Sequence, residues 1–77
     1  MDDQDLTFGE KAVGFTFNPS GNENVHKCKQ AFARIIDNMH NLRESTHDAE
    51  VQRMCSIAIT EAQAAQMWAV KAITWKS

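Results

Sequence analysis

The chain has 77 residues and a formal net charge of -2, with ten acidic against eight basic side chains. That leaves room for one domain and withholds the basic face that a DNA- or RNA-binding protein needs. A domain below about 80 residues is marginal without disulfides, a metal or self-association. Two cysteines, Cys28 and Cys55, are too few for a disulfide scaffold, and no CxxC motif or His/Cys cluster offers zinc ligands.

Residues 1–11 read as an acidic N-terminal tail carrying Asp2, Asp3, Asp5 and Glu10, with one helical turn at most. An acidic start lacks the positive region of a secretory signal, and no run approaches 18 apolar residues. The expectation is a soluble cytoplasmic protein with reduced thiols and no membrane contact.

Residues 12–77 form the predicted domain, an all-α antiparallel two-helix hairpin with a short extended lead-in. In that lead-in Val13, Phe15 and Phe17 alternate with Gly14 and Thr16, and Asn18-Pro19-Ser20-Gly21 is turn chemistry. Ser20 with Glu23 has capping-box spacing, and Asn22 is the competing cap. A first helix over about 22–44 follows. Val25, Cys28, Phe32, Ile35, Met39 and Leu42 step by three and four along it, as a heptad stripe does.

Ser45 to Asp48 breaks the pattern and leaves length only for an antiparallel return. Ser45 or Thr46 can cap the second helix, and Asp48 and Glu50 suit its first turn. This helix covers about 48–75, with Val51, Cys55, Ala58, Ala62, Ala65, Ala69 and Ala72 as its inner stripe. Met54, Ile57, Ile59, Met67, Trp68, Val70, Ile73 and Trp75 lie outside that stripe. A helix apolar on several faces is covered on several faces, so other copies of the chain must supply the cover in a closed symmetric homo-oligomer.

Catalysis finds no footing. His26, His40 and His47 have no carboxylate or cysteine fixed beside them. Asp37 and His40, at i and i+3, lack the further ligands a metal needs, and both cysteines sit on apolar stripes. With no glycine-rich phosphate loop and no Ser-His-Asp set, neither an enzyme nor a cofactor is expected.

Two segments suit a ligand instead. In FTFNPSG, Phe15 or Phe17 can offer a stacking face while Ser20, Gly21 and Asn22 expose helix-start N–H groups to phosphate. The plainer reading makes the two phenylalanines staples for the first helix. In residues 58–75, Thr60, Gln63, Gln66 and Lys71 interrupt an apolar stretch and either face solvent or line a pocket between subunits.

FNPSG, a helix ending IIDNMHNLR, and SIAITEAQAAQMWAVKAITW together resemble the helical-hairpin family of bacteriophage anti-defence sponges, over about residues 12–75. The resemblance implies sequestration, without cleavage, of cyclic nucleotide immune signals in the infected bacterial cell. Anti-CBASS members take up cyclic di- and trinucleotides, and anti-Thoeris members take up cyclic ADP-ribose isomers. It also implies a hexamer with pockets between subunits, an aromatic of the lead-in stacked on a base, and a first-helix lysine on phosphate. Those places fall to Phe17 with Asn18, Pro19, Ser20 and Gly21, and to Lys29, with Phe15 and Lys27 as near alternatives. Arg43 is a further phosphate contact by the same resemblance, and Thr60, Gln63 and Lys71 complete the candidate set. The rival reading is a structural oligomerisation module, such as a phage assembly adaptor, with no small ligand.

Overall fold

The computed structural model describes residues 5–77, which form three helices: α1 (Phe8–Ala12), α2 (Glu23–Ser45) and α3 (Ala49–Ile73). Among the described residues there is no strand. Both long helices start on caps that the sequence carries openly. Asn22 is the N-cap of α2, its Oδ1 accepting from the amides of Asn24 (2.8 Å) and Val25 (3.1 Å). Asp48 does the same for α3 through Glu50 (2.9 Å) and Val51 (3.3 Å). Such caps satisfy donors that have no partner inside the helix, each worth about 1 kcal/mol. Neither Ser20 at the first helix nor Ser45 or Thr46 at the second takes the role expected above. Thr46 instead ends α2 with its amide on the Leu42 carbonyl, and its hydroxyl accepts the Asp48 amide.

The single helical turn allowed for the N-terminus is present, and it is docked against the hairpin. Thr7 and Glu10 close a reciprocal capping box at the start of α1. The Gly9 amide then donates to Asp37 Oδ1 at 2.7 Å, with Gly9 itself buried. A Cβ on Gly9 would stand 2.1 Å from the Ala33 carbonyl oxygen, so only glycine permits this approach. Asp2 and Asp3 of the acidic tail lie outside the described residues.

The expected extended lead-in is a run of turns. Residues 13–16 are turn residues, with Val13 the C-cap of α1 and Gly14 in the left-handed region at φ 61°. Gly14 N–H bonds to Lys11 O (3.1 Å) and Phe15 N–H to Glu10 O (2.9 Å), the paired closure by which a glycine ends a helix. The alternation of Val13, Phe15 and Phe17 therefore reflects helix termination. Val13 is buried in the core, Phe15 packs half-buried against it, and Phe17 is 72% exposed.

The core is small: Val13, Ala33, Ile36 and Ile59, with Ala12, Phe15, Phe32, Met39 and Ala62 packed around them. Its centre, Ile36, is fully buried. The buried face of α2 is Val25, Lys29, Ala33 and Ile36, rotated from the predicted stripe, and Ile35 and Leu42 are exposed. On α3 the buried residues are Cys55, Ile59 and Gln66, whereas Ala65 and Ala72 of the alanine stripe are exposed. The rotation has a plain cause, because α2 packs against α1 as well as α3 and its inner face must serve both.

Candidate functional site

Where the turn after α1 meets α2 and α3, a groove of about 570 Å³ opens between Phe17, Lys29, Gln66, Met67 and Val70, with Lys11 and residues 12–14 at its other wall. It has the composition of a small-ligand site: mostly apolar walls, one aromatic and a few polar groups. Phe17 lends an exposed ring. Gln66, buried on the inner face of α3, lends an amide.

Lys29 governs the local geometry. Its side chain is only 5% exposed, and its ammonium donates to the carbonyl oxygen of Gly14 at 2.9 Å and to that of Phe17. The same nitrogen stands 5.6 Å from the centre of the Phe17 ring. Burial pulls its pKa below the ordinary lysine value, and the neighbouring Cys28 opposes that shift. Burial likewise pushes the Cys28 thiol up, against the pull of Lys29. Neither cysteine has the environment of a nucleophile: Cys55 is buried and Cys28 is half-buried with a raised pKa.

The Asn18–Gly21 turn closes with Gly21 N–H on Asn18 O at 3.0 Å, and Gly21 takes φ 64°. The Asn18 side chain bonds the backbone of Asn22 in both directions, accepting its N–H at 3.2 Å and donating to its carbonyl at 2.9 Å. The amides of Gly21, Asn22, Asn24 and Val25 are thereby all engaged within the chain. The free helix-start N–H groups expected at Gly21 and Asn22 are not available in this arrangement, because the turn and cap side chains fill them first. Asn18 and Gly21 instead border a separate hollow with Phe15, Glu23 and His26, where Phe15 lies 5.0 Å from the His26 ring. Pro19 and Ser20 are exposed at the turn.

The remaining candidates do not converge on this groove. Arg43 is 14 residues along α2 from Lys29, about 21 Å at helical rise. There it donates to Ser56 Oγ at 3.0 Å, stands 3.2 Å from His40 Nδ1, and lies over the Phe8 ring at 5.5 Å. His40 stacks flat on Phe8 at 4.1 Å while Asp37 holds the Gly9 amide, so this pair buttresses α1. Thr60 is exposed and bonds back to the Ser56 carbonyl. Gln63 donates to the Ala12 carbonyl at 3.1 Å and so ties α3 to the end of α1. Lys71 is exposed between Trp68 (5.3 Å) and Trp75 (5.8 Å). Among the described residues no three His, Cys, Asp or Glu side chains gather to hold a metal.

Sequence reading missed Lys11, Met67 and Val70 as groove residues. In the sequence Met67 and Val70 belong to the surplus apolar positions of the second helix and Lys11 falls within the acidic tail, so hydropathy alone does not place them at a groove. Gly14 was the available signal: a glycine three residues beyond a basic helical turn marks a C-terminal closure that folds Lys11 back toward the hairpin.

The family model of the Acb2/Tad1 hairpin domain matches residues 10–74. The chain belongs to that family. It is the family of phage anti-CBASS and anti-Thoeris sponges, whose members bind their targets and are not enzymes. The matched span runs from the end of α1 through all of α3, so the whole hairpin and the groove at its head fall inside it. No curated protein and no solved structure matches the chain. Among the described residues no helix is long and apolar enough to cross a membrane.

Proposed function

We propose that this protein is a phage anti-defence sponge that binds cyclic nucleotide immune signals intact and lowers their free concentration. The observation that carries the reading is the solvent-open Phe17 ring beside the Lys29 cation and the Gln66 amide, within a chain of the sponge family. A flat ring stacks on a base, which is worth about 1–3 kcal/mol per base. An amide carries one donor group and one acceptor for a base edge. Capture by mass action needs stoichiometric protein and no turnover.

The same proposal includes self-association into a homo-oligomer. The molecule measures 46 × 30 × 13 Å, so its thinnest dimension is close to the diameter of one helix, about 10–12 Å. A single layer of helices cannot bury apolar side chains on both faces, and stable domains use at least two layers. Ile35, Leu42, Met54, Ile57, Met67, Trp68 and Trp75 remain exposed here. Met67 borders the groove and Trp68 is its neighbour in sequence, so a partner docked on this face would complete a pocket wall.

Purified protein mixed in turn with a cyclic dinucleotide, a cyclic trinucleotide and a cyclic ADP-ribose isomer tests the reading. At least one should bind in proportion to protein and be recovered chemically unchanged after heat denaturation. Binding of none of them overturns it. Phe17→Ala should weaken capture about tenfold or more, the loss of one base stack, and leave the assembly state as it was, whereas a purely structural module would show no ligand to lose.

A further inference from the structure

We infer that two copies of the chain pair antiparallel through the outer face of α3, with Trp68 of each copy seated over Ala64 of the other and Glu61 of each facing Lys71 of the other. This rests on the self-association proposed above and specifies the face and the register that carry it.

Met54, Ile57, Glu61, Ala64, Trp68 and Lys71 follow one another along α3 at steps of three, four, three, four and three. That is heptad spacing, so the six share one stripe. At about 3.6 residues per turn, the stripe stands roughly half a turn away from the buried Cys55, Ile59 and Gln66, and the packing of the hairpin leaves it bare. Ala64 is half-buried and the other five are exposed, Trp68 by 70%.

The order of residues along the stripe is self-complementary. With a second copy laid antiparallel so that Ala64 meets the partner's Trp68, a three-residue step on each chain brings Glu61 opposite the partner's Lys71. A further step of four brings Ile57 opposite the end of the partner's α3, where Trp75 is exposed. Two-fold symmetry makes each of these contacts twice. A parallel pairing in register would set Trp68 on Trp68 and like charge on like at both 61 and 71, which is costly. The surface has the matching shape: Ala64, Met67, Trp68 and Lys71 line a hollow of about 290 Å³, the receiving half of a knob-into-hole contact. The Lys71 ammonium lies 5.3 Å from the Trp68 ring and 5.8 Å from the Trp75 ring, which keeps its charge on the stripe where the partner's Glu61 arrives. Met67 lines both this hollow and the Phe17 groove, so the partner's Trp68 braces the groove wall from its far side.

Sedimentation of the full chain tests the register by exchanging charges. Glu61→Lys and Lys71→Glu each put like charges opposite one another at both contacts. Each should weaken self-association about tenfold or more, less so in high salt, while circular dichroism keeps the wild-type helix content. An equimolar mixture of the two variants restores opposite charges at both contacts and should sediment as the wild type does. A pair within one chain cannot produce that rescue, because the two residues stand ten apart, about 15 Å along one helix. Should either single variant lose helix content, the chain carrying both exchanges keeps the test, and it should assemble as the wild type does. Ala64→Trp, which fills the hollow, should also yield smaller species. Single variants that assemble like the wild type, or a mixture that stays dissociated, would overturn this register while leaving self-association through another face. A wild-type chain that sediments as a monomer at micromolar concentration defeats the self-association itself, and this pairing with it.

Discussion

The head of the hairpin and the outer face of α3 treat their side chains in opposite ways. At the head, polar groups turn inward: Lys29 onto two carbonyls, Asp37 onto the Gly9 amide, Gln63 onto the Ala12 carbonyl, Asn18 onto Asn22. On the outer face apolar groups turn outward, among them Met54, Ile57, Met67 and Trp68, and Trp75 just beyond the helix is exposed as well. A segment whose polar groups satisfy one another is finished within one chain, and a segment whose large apolar side chains stay wet is finished by something else. The groove lies on the seam between the two regimes, with Phe17 and Lys29 from the first and Met67 from the second.

The sharpest way to break this contrast is to empty the centre of the core. Ile36→Ala should cost about 3 kcal/mol, within the range for deleting a fully buried aliphatic residue, read as a shift in urea midpoint. Next is Gly9→Ala, which forces a methyl group against the Ala33 carbonyl and should cost about 2 kcal/mol by lifting α1 away. In that variant exchange should rise at the α1 amides and stay unchanged in the second half of α3. Asp37→Asn keeps an acceptor but removes its charge, and a loss of about 1 kcal/mol is expected by the same measurement. Trp68→Ser on the outer face should alter helix content least of all. Its effect should appear in sedimentation, as a shift to smaller species; an unchanged particle size would mean that this tryptophan is not part of an interface.

Much of the head's construction was hidden from sequence reading, and the reasons are physical. The helix limits were legible because caps are local: about 22–44 and 48–75 were expected against Glu23–Ser45 and Ala49–Ile73. The buried faces were not. A hydropathy pattern cannot assign Lys29 to an inner face, since what makes that burial tolerable is a pair of carbonyls 12 and 15 residues earlier. Once Lys29, Ala33 and Ile36 are inside, Ile35 and Leu42 fall outside, while Val25, Phe32 and Met39 of the predicted stripe stay in or beside the core. The docking of α1 was invisible for a related reason, because it works through a backbone amide and the absence of a side chain at Gly9. Of the candidate site, Phe17 and Lys29 do meet. Arg43, Thr60, Gln63 and Lys71 lie apart from them within one chain, each with its own neighbours.

The way α1 is fastened also decides which sequence changes the molecule can absorb. Its attachment is a main-chain donor and a bare α-carbon, so the exposed α1 position Lys11 can drift without loosening the joint. Glycine at position 9 admits no substitute. A phage lineage could therefore repaint one wall of the groove, through Lys11, while the framework beneath stays constant.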